Sequence, residues 1–402
     1  MFSGSDESNK SDCQTDRHAT PECKERIPLS RPWLGELEAE AVRKVLLSGW
    51  LIQGPVTKRF EKATAEYLGA KHGVAVASGT AALHLALIAL GVGPGDEVII
   101  PSHSFVATAN SVVYVGATPV YVDIDPRTYN MDPDLLQSAI GDKTRAVCVV
   151  HQSGLPADMK RILEITRAHS IPVYEDAACA LGSAYGDSLI GSNSTICCFS
   201  FHPRKVITTG EGGMITTNSS ELARKLEILR QQGMTKDAAG RNEPDAPLRT
   251  GFPVIGFNYR MTDISAAIGL AQLRRLPVML ESRRHLADIY SEETAAIEHI
   301  TSPYVPDGVT HNYQSYVVRI EPTSKRTRDQ ILLFMKKRNI DATSGISCIH
   351  RQAPYKQFIR TPLPNSEAAT DQTILLPFFP QMTEEQVRLV ARTLAQAVAG
   401  KG

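Results

Sequence analysis

The sequence has no long apolar run, no net charge and no paired cysteine pattern, and each absence removes a class of protein. No stretch approaches the roughly 20 apolar residues that a membrane-crossing helix needs. The N-terminal segment MFSGSDESNKSDCQTDRHATPECKER has no apolar core of the kind a secretory signal carries, so a soluble cytoplasmic protein is expected, with no membrane partner. Lys plus Arg number 43 and Asp plus Glu number 43, a formal net charge of zero. No basic field is available to hold nucleic acid non-specifically, although scattered arginines can still meet an anionic small molecule. The seven cysteines (Cys13, Cys23, Cys148, Cys179, Cys197, Cys198 and Cys348) are odd in number, irregularly spaced and without C-x-x-C. That suits a reducing compartment and not a disulfide framework. Cys197 and Cys198 are neighbours in an apolar run that reads as a strand, so they point to opposite faces and no shared metal is expected. G-x-S-x-G, G-x-x-x-x-G-K-[ST] and H-E-x-x-H are also missing, which leaves little trace of the chemistries they serve.

What is present is an ordinary globular balance, 42% hydrophobic and 21% charged over 402 residues, enough for a sizeable core and more than one domain. Residues 1–27 are polar and without hydrophobic periodicity, and read as a disordered tail. Leu34 to Leu47 and Val56 to Tyr67 have helical spacing, separated by the glycines and proline of SGWLIQGP. From Val74, apolar runs (HGVAVAS, DEVIIP, TPVYVDI, AVCVVH, IPVYED, TICCFSF, GGMITTN) alternate with helical stretches. Runs apolar on both faces indicate a mainly parallel sheet covered on both sides. GVGPGD lies between a helix and the next strand, the reverse of a dinucleotide loop, and reads as a tight turn. Met261 to Tyr290 is helical, with an interruption expected at Pro277. The texture then becomes strand, helix, strand, helix. The expected division is the tail, a large α/β domain over 28–275 with an N-terminal arm, and a smaller α+β domain over 276–402.

Four segments stand where strands run into loops, the edge at which open α/β sheets bind ligands. In ASGTAALHLAL, the backbone around Ser78, Gly79 and Thr80 opens a helix and suits a phosphate, though a plain helix cap would look the same. In PSHSFVATAN, Phe105 could cover one face of a flat heteroaromatic ring or be a core residue. In IPVYEDAACALGS, Glu175 and Asp176 end an apolar strand. An ionised Asp176 facing a pyridine nitrogen would keep that nitrogen protonated, while one of the two acids could equally cap a helix. In SFHPRKVITTGEGGMITTN, Lys205 lies in a turn between Pro203 and Gly210 beyond Ser200. A desolvated lysine there could attack an aldehyde and form a Schiff base, whereas an ordinary lysine would be solvated. No segment decides alone. Their order does more: a phosphate cup, an aromatic, an acid, then a lysine.

With GDEVIIPSHSFVATANSVVYVGATPVYVDID, EDAACALGSAYG, CFSFHPRKVITTGEGGMITTN and GFNYRMTDISAAIGLAQL beside SGTAALHLAL, the chain resembles the DegT/DnrJ/EryC1/StrS aminotransferases from about residue 28 to 395. The resemblance implies the type I fold of pyridoxal 5'-phosphate (PLP) transferases: a large mainly parallel α/β domain and a smaller C-terminal one. It implies conversion of a keto sugar, commonly nucleotide-linked, to an amino sugar, with glutamate as donor and ping-pong kinetics. Carried over position by position, Lys205 is the Schiff-base lysine and Asp176 the partner of the ring nitrogen. Phe105 is the stacking aromatic, and Gly79, Thr80 and Ser200 are phosphate contacts. Asn258, in GFNYRM, is the residue given to a second subunit's phosphate site, implying a homodimer with shared sites. Cys179 stands near the ring oxygen where the family usually has Gln or His, and Ser153 where an aromatic is common. Arg260, His350 and Arg351 could meet a diphosphate or donor carboxylate, or be surface ion pairs. Three other readings stay open: a cyclitol or other cyclic ketone as acceptor, a sugar dehydratase, and a binding protein on the same scaffold. The presence of Lys205 weighs against the last two.

Overall fold

Between residues 72 and 217 the apolar runs become the strands of one sheet in the computed structural model, which describes residues 25–235 and 251–401. The strands are β1 (His72–Val76), β2 (Glu97–Pro101), β3 (Thr118–Val122), β4 (Thr144–Val150), β5 (Val173–Asp176), β8 (Ile196–Ser200) and β9 (Gly213–Thr217), with short β6 (Ala184–Tyr185) and β7 (Ser188–Leu189) outside it. Their order is β1-β9-β8-β5-β4-β2-β3, and only β9 runs against its neighbours. Burial on both faces explains the unbroken apolar runs. Cys198 packs with Val76 and Ile100 on one face and Cys197 with Ala75 and Phe199 on the other, as the strand period requires.

The helices before and within this region are α1 (Glu36–Ser48), α2 (Pro55–Leu68), α3 (Gly79–Ala89), α4 (Ala107–Tyr114), α5 (Pro133–Ala139), α6 (Met159–Ala168) and α7 (Ser220–Arg230). α3 is buried almost all round, including Ala82, Leu83, Leu85, Ala86 and Leu87, which is why its sequence has no polar face. Between it and β2, GVGPGD is a turn in which the Asp96 carboxylate accepts the Gly93 amide at 2.9 Å.

α8 (Asp263–Ala295) differs from the expectation, because it runs on through Pro277 and across residue 275 without a break. Proline removes one helix hydrogen bond. Here Leu276, Met279 and Leu280 are buried in the core under the large sheet, while Leu286, Ala287 and Tyr290 are buried in the core of the smaller domain. Packing into both cores holds the helix across the defect.

The C-terminal part contains β10 (Ile300–Thr301), β11 (Val309–Thr310), β12 (Tyr316–Ile320), α9 (Arg328–Lys336), β13 (Thr343–Ser344), α10 (Pro364–Gln372), β14 (Thr373–Leu376) and α11 (Glu384–Val398). Its antiparallel sheet has the order β10-β12-β14-β13, while β11 pairs with β6 of the large domain. Most of the expected tail lies outside the described residues, with Cys13 and Cys23. Ile27 is buried and bonds into this domain, its amide donating to the Asn339 carbonyl at 2.8 Å.

Candidate active site

Parallel strands bring their carboxyl ends to one edge, and the loops after β1, β2, β4, β5 and β8 open there. β9 runs the other way and therefore starts at that edge, so the whole lysine turn between Ser200 and Gly213 lies on it. Gly79 and Thr80 open α3, and Ser78 caps the helix by accepting the Ala81 amide at 3.1 Å. Among the described residues the Gly79 and Thr80 amides have no hydrogen-bond partner, and such groups with the helix dipole attract an anion. A Cβ on Gly79 would stand 2.8 Å from Ser200 Cβ, and one on Gly213 would stand 2.5 Å from the Ser78 carbonyl oxygen. Glycine is needed at both places for β8, β9 and the start of α3 to approach this closely. Ser200 thus faces the helix start as one wall of a cup.

The two acids ending β5 separate cleanly. Asp176 is buried, and its carboxylate accepts the Thr108 hydroxyl at 2.8 Å and the Ala178 amide at 3.2 Å. Ser104 bonds Thr108 in turn at 2.8 Å. Glu175, on the other face, bonds buried His151 Nε2 at 2.9 Å. His151 Nδ1 accepts the Ala157 amide, so the ring proton is on Nε2 and is donated to Glu175. Sequence reasoning missed Thr108 and His151. The run SFVATAN and the strand-end HQSG carried the only signals, and neither names a partner.

Lys205 Nζ donates to Cys179 Sγ at 3.1 Å, bringing the lysine turn against the loop that follows Asp176. Phe105 is 70% exposed after β2, which removes the core reading and leaves a ring face open at the edge. His103, two residues earlier, is buried with Nδ1 unpartnered among the described residues, and burial pushes it down to about 4. Ser153 holds a left-handed backbone (φ 54°) beside Gly154.

The remaining candidates fall at different places. Arg260 pairs at the backbone with Val76, beside the Ser78–Thr80 loop, and Asn258 is exposed on the same segment. His350 reaches the end of β2 but is buried, with Nδ1 2.6 Å from Ser102 Oγ and Nε2 3.1 Å from Glu367. Arg351 bonds Asp371 at 2.7 Å and Glu367 at 3.4 Å. The His350 ring, with the Arg351 guanidinium, holds Glu367 below the usual carboxylate range. Both side chains already have partners: His350 links α10 to Ser102 at the end of β2, and Arg351 pairs with two acids of α10.

The chain as a whole is similar to known aminotransferases. A model of the DegT/DnrJ/EryC1/StrS aminotransferase family matches residues 32–395. GDP-perosamine synthase of Caulobacter vibrioides is 41% identical over 375 residues, covering 93% of this chain and 98% of that protein. A putative sugar aminotransferase of Streptococcus pneumoniae, solved in its PMP form, superposes with a TM-score of 0.87 at 32% identity, covering 93% of this chain and 99% of that one. The same protein in its PLP form gives 0.86. PseC of Helicobacter pylori, an aminotransferase involved in pseudoaminic acid biosynthesis, gives 0.87 at 29% identity, covering 94% and 100%.

Proposed function

The chain belongs to the DegT/DnrJ/EryC1/StrS aminotransferase family, whose solved relatives have the type I fold and occur in PLP and PMP forms, and from this we propose that it aminates a nucleotide-linked keto sugar with glutamate as donor. One observation carries the reading. The Lys205 amine lies 3.1 Å from Cys179 Sγ, three residues past a buried aspartate, so amine and acid share one sheet edge.

The residues present fit PLP. The cup between Ser200 and the unpartnered Gly79 and Thr80 amides suits its phosphate, a cup that a Cβ on Gly79 would fill. The open Phe105 ring suits its flat face. Asp176 supplies the charge that a protonated ring nitrogen requires, and the Cys179 thiol is the nearby donor for the ring oxygen. When bound, PLP supplies an aldehyde for the incoming amine and an electron sink for the C–H bond that breaks. Lys205 would hold the cofactor and, as a free amine, would carry a proton to and from the substrate carbon. Its turn is given freedom by Gly210, in the left-handed region at φ 82°. Thr108 and the Ala178 amide fix the Asp176 carboxylate in advance, so little reorganisation accompanies the charge change. The donor product leaves before the acceptor enters, the enzyme keeping the amino group between the two half-reactions, so ping-pong kinetics are expected.

The working unit in this reading is a homodimer. Asn258 is exposed, on a segment with Phe252 (62% exposed) and Ile255 (90% exposed), which supports its reaching a second subunit's phosphate cup. Arg260, beside the phosphate loop, is assigned to an anionic group of the substrate. No helix among the described residues is long and apolar enough to cross a membrane, and the cytoplasm is the proposed compartment.

The test is a half-reaction. The holoenzyme is loaded with amine from glutamate, freed of excess donor, and offered acceptors one at a time. Nucleotide-linked keto sugars should restore the aldehyde absorbance. Restoration by free cyclic ketones alone would replace the sugar reading by the cyclitol one, and failure of glutamate to load the enzyme would overturn the donor.

A further inference from the structure

The turn His311–Gln314 leaves the C-terminal domain between β11 and β12 and meets three of the loops that form the site. Asn312 is fully buried, and its Nδ2 donates to the Cys179 carbonyl at 2.8 Å and the Leu181 carbonyl at 2.9 Å. Its Oδ1 accepts the Gln314 amide at 2.8 Å and its backbone amide donates to Ser183 Oγ at 3.2 Å. Two donor bonds to carbonyls fix which end of the amide is nitrogen. Gly154, in the loop after β4 with φ 95°, packs so closely that a Cβ there would overlap the Asn312 oxygen and lie 2.9 Å from the Cys179 carbonyl oxygen. His311 bonds the Gly154 backbone as well. Gln314 Nε2 donates to the carbonyl of Arg204, the residue before Lys205. Behind the turn, buried Arg283 of α8 donates to the Tyr313 carbonyl at 3.0 Å and the Gln314 carbonyl at 3.4 Å. These bonds hold Tyr313 in the left-handed region, φ 48°, which a non-glycine residue rarely adopts.

We propose that this turn sets the distance and direction between Cys179 and Lys205, with Asn312 and Gln314 as positioning residues for the lysine of the proposed aminotransferase site. The turn grips the carbonyl of the thiol residue with one amide and the carbonyl preceding the lysine with another. The two side chains that meet at 3.1 Å are therefore held from a common support. The inference rests on the assignment of Lys205 as the cofactor lysine. It gives the small domain a part in the site that neither residue's chemistry would suggest, since neither needs to touch substrate.

The experiment uses holoenzyme of wild type, Asn312→Asp and Gln314→Leu. Asn312→Asp keeps shape and loses both donors. Gln314→Leu removes only the Arg204 bond, and Gln314 Oε1 has no partner among the described residues to lose. Two signatures are read beside kcat and KM. One is the pH midpoint of the absorbance change of the cofactor joined to Lys205. The other is the rate of iodoacetamide alkylation at Cys179, read by peptide mass spectrometry. Each variant should shift the midpoint by about half a pH unit or more and alter the Cys179 rate by roughly threefold or more, with kcat falling more than KM changes. Midpoint and alkylation rate unchanged in Gln314→Leu, or in a folded Asn312→Asp, would overturn the proposal even if melting temperature fell, because that is the behaviour of a merely structural turn. Should Asn312→Asp not fold, Gln314→Leu decides alone. Borohydride reduction of wild type separates the two levels. An adduct absent from Lys205 removes the underlying assignment, while an adduct present with unchanged variants removes only the positioning role.

Discussion

Glu175 and Asp176 are adjacent acids at the end of one strand, yet they meet different chemistry because successive strand residues point to opposite faces. The residue types were legible in the sequence, but the assignment between faces was not, since it depends on His151 on one side and Thr108 on the other, 24 and 68 residues away. Asp176→Asn should retain cofactor and lower the single-turnover rate about 10²–10³-fold, the usual cost of losing a preorganised charge partner. A rate within about threefold of wild type would remove Asp176 from that role. Buried histidines give a second prediction. Burial pushes His103 down to about 4 and His311 to about 3, from an ordinary 6.5. Each takes up its proton only on unfolding between those values and 6.5, so stability is full above about pH 6.5 and falls as pH drops towards 4 and 3. Near pH 5 each should cost about 2 kcal/mol relative to neutral pH. Urea midpoints of His103→Asn and His311→Asn should fall less than wild type between neutral pH and about pH 5, and an unchanged fall would show that neither ring is held neutral.

At the scale of elements, the strands of the large sheet were readable because burial on both faces writes an unbroken apolar run. β6, β7, β11 and β13 have two residues each and leave no period to detect. For α8 the sequence predicts an interruption because proline weakens an isolated helix, whereas this helix is held by two cores that only the tertiary structure supplies. The cup proposed for phosphate shows the same division. SGT at a strand-to-helix junction was visible, but the need for Gly79 and Gly213 follows from the approach of β8 and β9, which no local pattern encodes. Gly79→Ala should force the start of α3 away from Ser200 and weaken PLP binding by about tenfold or more, roughly 1.4 kcal/mol. Fluorescence titration of apoenzyme with PLP measures this, and wild-type affinity in a folded Gly79→Ala variant would contradict the cup.

The whole molecule presents apolar side chains that a single chain does not cover, among them Leu37, Leu46 and Leu47 of α1 and, beyond it, Ile52 and Ile255. A symmetric dimer would cover such surface and share its sites. Mixing inactive Lys205→Ala with an impaired Asn258→Ala variant should then restore activity, since one site of each mixed dimer carries neither lesion. Verified mixed dimers without recovery would place Asn258 outside the partner's site, and a fully active monomer would reject sharing altogether. The proposed site depends on which amine holds the cofactor. Borohydride reduction of the PLP-loaded enzyme, followed by peptide mass spectrometry, reads that amine without any assumption about substrate. The expected result is a reduced pyridoxyl adduct confined to Lys205 and lost in Lys205→Ala, and an adduct on another lysine, or none in a yellow wild-type protein, would contradict it.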